Sequence, residues 1–236
     1  MPLYVYSIIA AAHPCRLDGL TGVGKEPAPV RAVTAGPLTA VVSDVDEEIR
    51  PRRRDLVAHQ DVQDRLMADG TVLPLQFGYT APDDRAVTQV LLEHADGYLE
   101  ALDRLRGCAE YHVKASQDED ALLREILLQS DRARQLNDRI RAGDADPRLP
   151  LELGELVAGE VAERQESLAA QLVQSLVSLA EDHSVRAPAD GDILNVSLLV
   201  HADKKDAFLH AEVRLAEQVE GVQFRFNGPL PPYSFV

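Results

Sequence analysis

Residues 229–236, Pro-Leu-Pro-Pro-Tyr-Ser-Phe-Val, leave the chain few conformations to choose from. Three prolines remove backbone donors and hold φ near about −65°, so the stretch is predicted to be neither a helix nor a central strand. A disordered tail is polar, but this one carries Leu230, Tyr233, Phe235 and Val236. An apolar segment stiffened in advance loses little entropy when it is immobilised. The sequence therefore predicts that it docks into a groove of its own protein, with Pro229, Tyr233 and Phe235 as docking residues. Phe224-Arg225-Phe226 just before it reads as a closing strand that ends at Asn227-Gly228.

From the start of the chain, Leu3 to Ile9 has apolar side chains at both parities. Tyr4, Tyr6 and Ile8 are expected on one face, and Leu3, Val5 and Ile9 on the other, as in a central strand covered on both sides. Val30–Ala35 and Leu38–Val45 form a predicted hairpin around Gly36-Pro37. Asp55–Ala68 is a predicted helix with Leu56, Val62 and Leu66 inward. Val72–Tyr79 is a strand that Pro74 confines to an edge or a bulge. Asp83–Leu105 is a helix ended by Gly107. Tyr111, Val113 and Ala115 then alternate in a new strand, and Glu119–Arg141 and Leu151–Asp182 read as a long helical hairpin. Val185–Ala187, a turn at Asp190-Gly191, the strand Ile193–His201, a helix Ala207–Val219 and the strand Val222–Phe226 complete the chain.

The predicted class is α+β in two domains. Residues 1–107 form a modified ferredoxin-like sheet-and-helix domain. Residues 108–236 form a ferredoxin-like domain with an inserted helical hairpin (about 119–182) and the apolar tail (228–236). A length of 236 residues suits two domains, and 45% apolar residues is a globular composition. A net charge of −15 speaks against a nucleic-acid partner. Cys15 and Cys108 make no metal or disulfide framework, and free cytosolic thiols are preferred to a single disulfide. The apolar start lacks a basic flank and alternates like a strand, so it is not read as a signal peptide. No run approaches the roughly 20 apolar residues of a membrane helix. The chain is expected in the cytoplasm.

Gly19-Leu20-Thr21-Gly22-Val23-Gly24-Lys25 matches a phosphate-binding loop, but Glu26 replaces the hydroxyl that would hold magnesium. Pro27 and Pro29 also stand where the anion-binding helix would start, so the stretch is read as a loop without a nucleotide. Asp55 and His59, at i and i+4, share a helix face and resemble half of a catalytic dyad. No Ser or Cys is placed to act as nucleophile, and the pair is read as structural or interfacial. Arg50, Arg52, Arg53 and Arg54 form a basic cluster read as a solvated loop that also meets Glu47 and Glu48. The scattered histidines have no metal-binding spacing. No cofactor, metal or catalytic residue is expected.

Four blocks occur in order: Tyr4-Val5-Tyr6-Ser7-Ile8, Asp55-Leu56-Val57-Ala58-His59, Val72-Leu73-Pro74-Leu75-Gln76-Phe77-Gly78, and Phe226-Asn227-Gly228-Pro229-Leu230-Pro231-Pro232-Tyr233-Ser234-Phe235-Val236. Together they resemble gas vesicle accessory proteins of the L/F type over essentially the whole chain. That resemblance implies a non-enzymatic assembly factor or minor vesicle component that binds the hydrophobic shell-forming subunit, with other accessory proteins as further partners. A soluble, acidic binder suits a subunit that buries its apolar faces only on polymerising. Pro74 and Phe77 on the edge strand, with Asp55 and His59, are the candidate partner-binding residues. The alternative is a small-molecule-sensing or catalytic α+β protein using the Asp55/His59 face.

Overall fold

The computed structural model describes residues 1–46, 49–189, 191–219 and 221–236. The expected turn residue Asp190, and the expected arginine partners Glu47 and Glu48, lie outside the described residues. The chain clusters into two compact units. The first holds residues 1–111, 199–203 and 228–236; the second holds 112–198 and 204–227.

The first unit contains β1 (Leu3–Ala10), β2 (Arg31–Ala35), β3 (Leu38–Asp44), α1 (Arg53–Asp69), β4 (Leu73–Pro74), β5 (Thr80–Ala81), α2 (Asp84–Glu93) and α3 (Ala95–Arg104). Its antiparallel strands run β2-β3-β1-β4, and β5 also pairs with β1. The β2–β3 hairpin closes with Ala35 opposite Leu38, and Gly36 supplies the positive φ of +58° that so short a turn needs. One face of β1 joins a cluster with Val87, Leu91, Leu102 and Leu105, and the other joins Val62 and Leu66 of α1.

The expected face assignment of β1 is corrected by a bulge. Val5 pairs with Val42 and Ser7 with Val41, so Tyr6 is the extra residue. Past it the alternation reverses. Ile8 lies with Leu3 and Val5, and Ile9 with Tyr4 and Tyr6. The expected strand 72–79 is likewise broken. Pairing through β4 ends after Leu75 N–H bonds Tyr6 C=O, and Gly78 turns the chain at φ +97° before β5 rejoins β1. Leu56, expected inward on α1, is 44% exposed.

The expected helix 83–105 is two helices. Asp83 caps α2 by accepting from Ala86 N–H, and the chain leaves helical geometry at His94 (φ −115°, ψ 18°).

The second unit is built on β6 (Cys108–Gln117), α4 (Glu119–Gln129), α5 (Asp131–Arg141), α6 (Leu149–Val177), β7 (Asp182–Val185), β8 (Asp192–His201), α7 (Lys205–Gln218) and β9 (Val222–Leu230). The strand ends 108–111, 199–201 and 228–230 count with the first unit. The sheet order is β7-β8-β6-β9. Three helices replace the expected hairpin of two, because Ser130 adopts extended backbone and caps α5 by accepting from Ala133 N–H. Leu122, Ile126 and Ala133 form a small core with half-buried Leu153, Leu156 and Val161. β9 runs past the expected stop at Asn227-Gly228 and takes in Pro229, which an edge strand tolerates. The last residues correct the expectation of no helix by forming one 3₁₀ turn, Tyr233–Phe235. Among the described residues, no helix is long and apolar enough to cross a membrane.

Candidate functional site: a buried polar cluster and the segment it holds

The inner stripe of α1 is Asp55, His59, Val62, Gln63 and Leu66, of which three are polar. Buried polar groups require partners, and here each has them. Asp55 Oδ1 accepts from Gly24 N–H at 2.8 Å and lies 3.5 Å from Arg54 Nε. Gln63 donates to Tyr6 C=O at 2.7 Å, and its Oε1 accepts from Ser7 Oγ–H at 2.6 Å. His59 Nδ1 is 2.9 Å from the Tyr4 hydroxyl, and its Nε2 is 2.8 Å from the Tyr233 hydroxyl.

Either phenol can donate or accept, so the ring bonds both of them whichever nitrogen carries its proton, and Tyr4 Oη also accepts from Gly78 N–H at 3.1 Å. Burial lowers the imidazole pKa to about 4, and the ring is neutral at pH 7. Burial also raises the Tyr4, Tyr6 and Tyr233 phenols above their ordinary range. The His59 ring centroid is 5.7 Å from those of Tyr6 and Phe77, which fixes the imidazole from its faces and edge.

This geometry braces structure. Asp55 and His59 are 3% and 5% exposed and spend their polar atoms on different partners. Ser7 and Ser43 hydroxyls are taken by Gln63 and Tyr6. The loop that mimics a phosphate-binding motif turns its amides inward: Val23 N–H donates to the Tyr6 hydroxyl and Gly24 N–H to Asp55. Gly22 lies so close to Ser43 that an added Cβ would sit 2.4 Å from its Oγ. Among the described residues, no three His, Cys, Asp or Glu side chains gather to hold a metal ion.

Of the residues singled out by sequence, His59, Phe77 and Tyr233 meet in this cluster, and Asp55 lies one turn away on α1. Pro74 is buried in β4 opposite Ser7, and Phe77 is half-buried. Pro229 is exposed, whereas Pro231 and Pro232 are buried. Ser234 donates from N–H and Oγ–H to the two oxygens of Glu110, at 2.9 and 2.6 Å. Arg104 Nη2 donates to Phe235 C=O at 2.6 Å, and the Phe235 ring joins the cluster of Leu73, Leu102 and Leu105. Gly228 approaches Tyr111 and Glu110 so closely that a Cβ would meet the ring at 2.7 Å.

Sequence reasoning missed Gln63, Glu110 and Arg104. Gln63 had a signal: it continues the Asp55–His59 spacing by one more turn. Glu110 and Arg104 had none, because their partners lie 124 and 131 residues away in sequence.

The profile of the family described as gas vesicle synthesis protein GvpL/GvpF matches residues 2–236. The chain belongs to this family. Gas vesicle protein F of Streptomyces sp. is 41% identical over 237 residues, covering 100% of both chains. Gas vesicle protein L1 of Halobacterium salinarum is 29% identical, over 92% of this chain and 84% of its own. The crystal structure of GvpF from Anabaena sp. superposes with a TM-score of 0.85 at 24% identity, covering 99% of this chain and 97% of that one. GvpF from Microcystis aeruginosa gives 0.78 at 24% identity, over 99% and 98%. The mixed helix-and-sheet fold with two antiparallel sheets is thus that of GvpF. Membership in the GvpL/GvpF family gives the chain a role in gas vesicle formation.

Proposed function

We propose that this GvpL/GvpF protein is a non-enzymatic assembly factor that binds the hydrophobic shell-forming subunit through its first unit. The observation that carries the reading is the interrupted edge of the first sheet. β4 and β5 are two residues each, and between them Gln76, Gly78 and Tyr79 are exposed. Beside this gap opens an apolar pocket of about 200 Å³, with Ile8, Leu75, Tyr79, Val90 and Tyr98 in its lining. A broken edge with exposed side chains next to an apolar pocket offers a side-chain socket to an incoming chain. His59 and Tyr4 stand behind it: their rings hold Phe77, and the Tyr4 hydroxyl accepts from Gly78 N–H. Asp55 and His59 therefore serve binding indirectly, by fixing the segment that carries Pro74 and Phe77. Other accessory proteins of the vesicle are further partners.

The same reading divides the chain near Gly107 into domains 1–107 and 108–236, the second being ferredoxin-like. Its element order and the sheet order β7-β8-β6-β9 support that description.

The test uses the full chain. Gln76→Asp and Tyr79→Asp place charge at the gap without entering the core, and purified shell subunit is expected to be retained at least tenfold less. Undiminished binding by both folded variants would overturn the placement. Undiminished vesicle formation by a strain carrying only those variants would overturn the role of this surface.

A further inference from the structure

The cleft that holds residues 231–235 reads three consecutive residues by three different chemistries. His59 Nε2 hydrogen-bonds the Tyr233 hydroxyl, the Glu110 carboxylate takes both polar hydrogens of Ser234, and Arg104 grips the carbonyl of Phe235. Glu110 is 5% exposed, and a carboxylate that deep is costly to leave without donors. Its two bonds to Ser234 place backbone and hydroxyl together, which fixes register as well as occupancy. The Phe235 ring, 7% exposed, fills a hole in the apolar cluster. Pro231 and Pro232, both buried, stiffen the chain just before the turn Tyr233–Phe235 and lower the entropy that docking costs.

All of these contacts run from residues 231–235 to residues 59–110. The link back to β9 supplies proximity, and its own contacts, such as Gly228 against Tyr111, lie outside residues 231–235. An intramolecular segment on a short tether has an effective concentration on the order of millimolar, which closes the cleft in a dilute, lone chain. Crowded copies compete with that value.

We propose that this cleft is a peptide receptor in its own right, closed in the lone chain by its own segment and able to take the same segment from a second copy. Each copy carries one receptor and one ligand, so exchange yields either a reciprocal pair or a head-to-tail series. The inference is independent of shell binding, because it places the contact at Glu110 and Arg104 instead of at the β4–β5 gap.

Two complementary variants test it. One lacks residues 229–236; the other keeps them but carries Arg104→Ala and Glu110→Ala. Each is expected to be monomeric alone. Their mixture is expected to show a one-to-one complex by native mass spectrometry, because only then does an open receptor meet an unanchored ligand. A labelled peptide of residues 227–236 is expected to bind the deletion variant saturably, and at least tenfold more weakly when Glu110→Ala is added. Should the deletion prevent folding, the full chain with Ser234→Ala, whose own segment is loosened, is expected to take up at least tenfold more peptide than the unaltered chain. Uptake no greater than that of a scrambled peptide, in both the deletion variant and the Ser234→Ala chain, would overturn the proposal. So would a mixture that stays monomeric although both variants are folded.

Discussion

Two helices of this protein carry opposite kinds of inner face. α6 spans 29 residues with an apolar stripe along much of its length, yet buries only Leu149, Leu172 and Leu176. α1 spans 17 residues, interrupts its stripe with Asp55, His59 and Gln63, and buries five positions. Apolar burial is non-directional, so the half-buried Leu153, Leu156 and Val161 of α6 tolerate small displacements. The polar side chains of α1 each engage two partners in fixed directions, so a shift of the helix breaks several bonds at once. The less apolar helix is therefore the more tightly specified one, and its specification extends to Tyr233, 174 residues beyond His59.

The largest expected effect comes from removing what α1 reaches for. Deleting residues 229–236 takes away the buried Phe235 ring, worth about 1.5–3 kcal/mol, and strands Glu110 and His59 at about 1–3 kcal/mol for each unsatisfied group. Calorimetry is expected to show a transition lowered by roughly 10 °C, at about 2–4 °C per kcal/mol for a chain of this size. An unchanged transition would mean that the segment contributes nothing to the first unit.

One truncation on each helix sets polar bracing against apolar packing. His59→Ala removes the centre of the cluster and takes one hydrogen-bond partner from each of two phenols, for an expected loss of about 2–4 kcal/mol in denaturant titration. Leu156→Ala on α6 removes a half-buried side chain and is expected to cost about 1 kcal/mol or less. A reversed order would refute the contrast drawn between the helices.

Acid sharpens the same point. Burial holds the folded His59 imidazole at about 4, whereas the unfolded side chain titrates near the ordinary imidazole value of 6.5. Between those values the unfolded chain binds the extra proton, so stability is full above about pH 6.5 and declines as pH falls toward 4. The loss reaches on the order of 3 kcal/mol by pH 4, at about 1.4 kcal/mol per pH unit. His59→Gln is expected to flatten that part of the profile, and an unaltered acid slope in this variant would assign the loss to other groups.

The smallest effect concerns the outside of α1. Leu56→Gln and Val57→Gln alter side chains that are 44% and 50% exposed, and are expected to move stability by less than about 0.5 kcal/mol. A larger change, measured by the same titration, would show that this face is covered in solution.

Where short-range chemistry decided the outcome, the sequence was readable. The β2–β3 hairpin followed from Gly36-Pro37. β1 showed itself as a strand covered on both faces, but the bulge at Tyr6 reversed the expected partners of Ile8 and Ile9. The break at Ser130 had a local signal, a hydroxyl followed by Asp131 at a helix start, that the smooth apolar periodicity across it concealed. In the cluster, His59 was visible because of its spacing from Asp55. Its real partners were invisible because Tyr4 and Tyr233 approach it from far along the chain, where periodicity carries no information.

That long reach also sets the order in which the protein matures. Closing a loop of 174 residues costs more chain entropy than any hairpin or helix of the first unit, and the cost must be met before the contact returns anything. The first unit is therefore expected to assemble early with a vacant slot where Phe235 belongs, and to wait for its distant final piece. During that interval the greasy lining of the slot faces solvent, so refolding yield should fall as protein concentration rises.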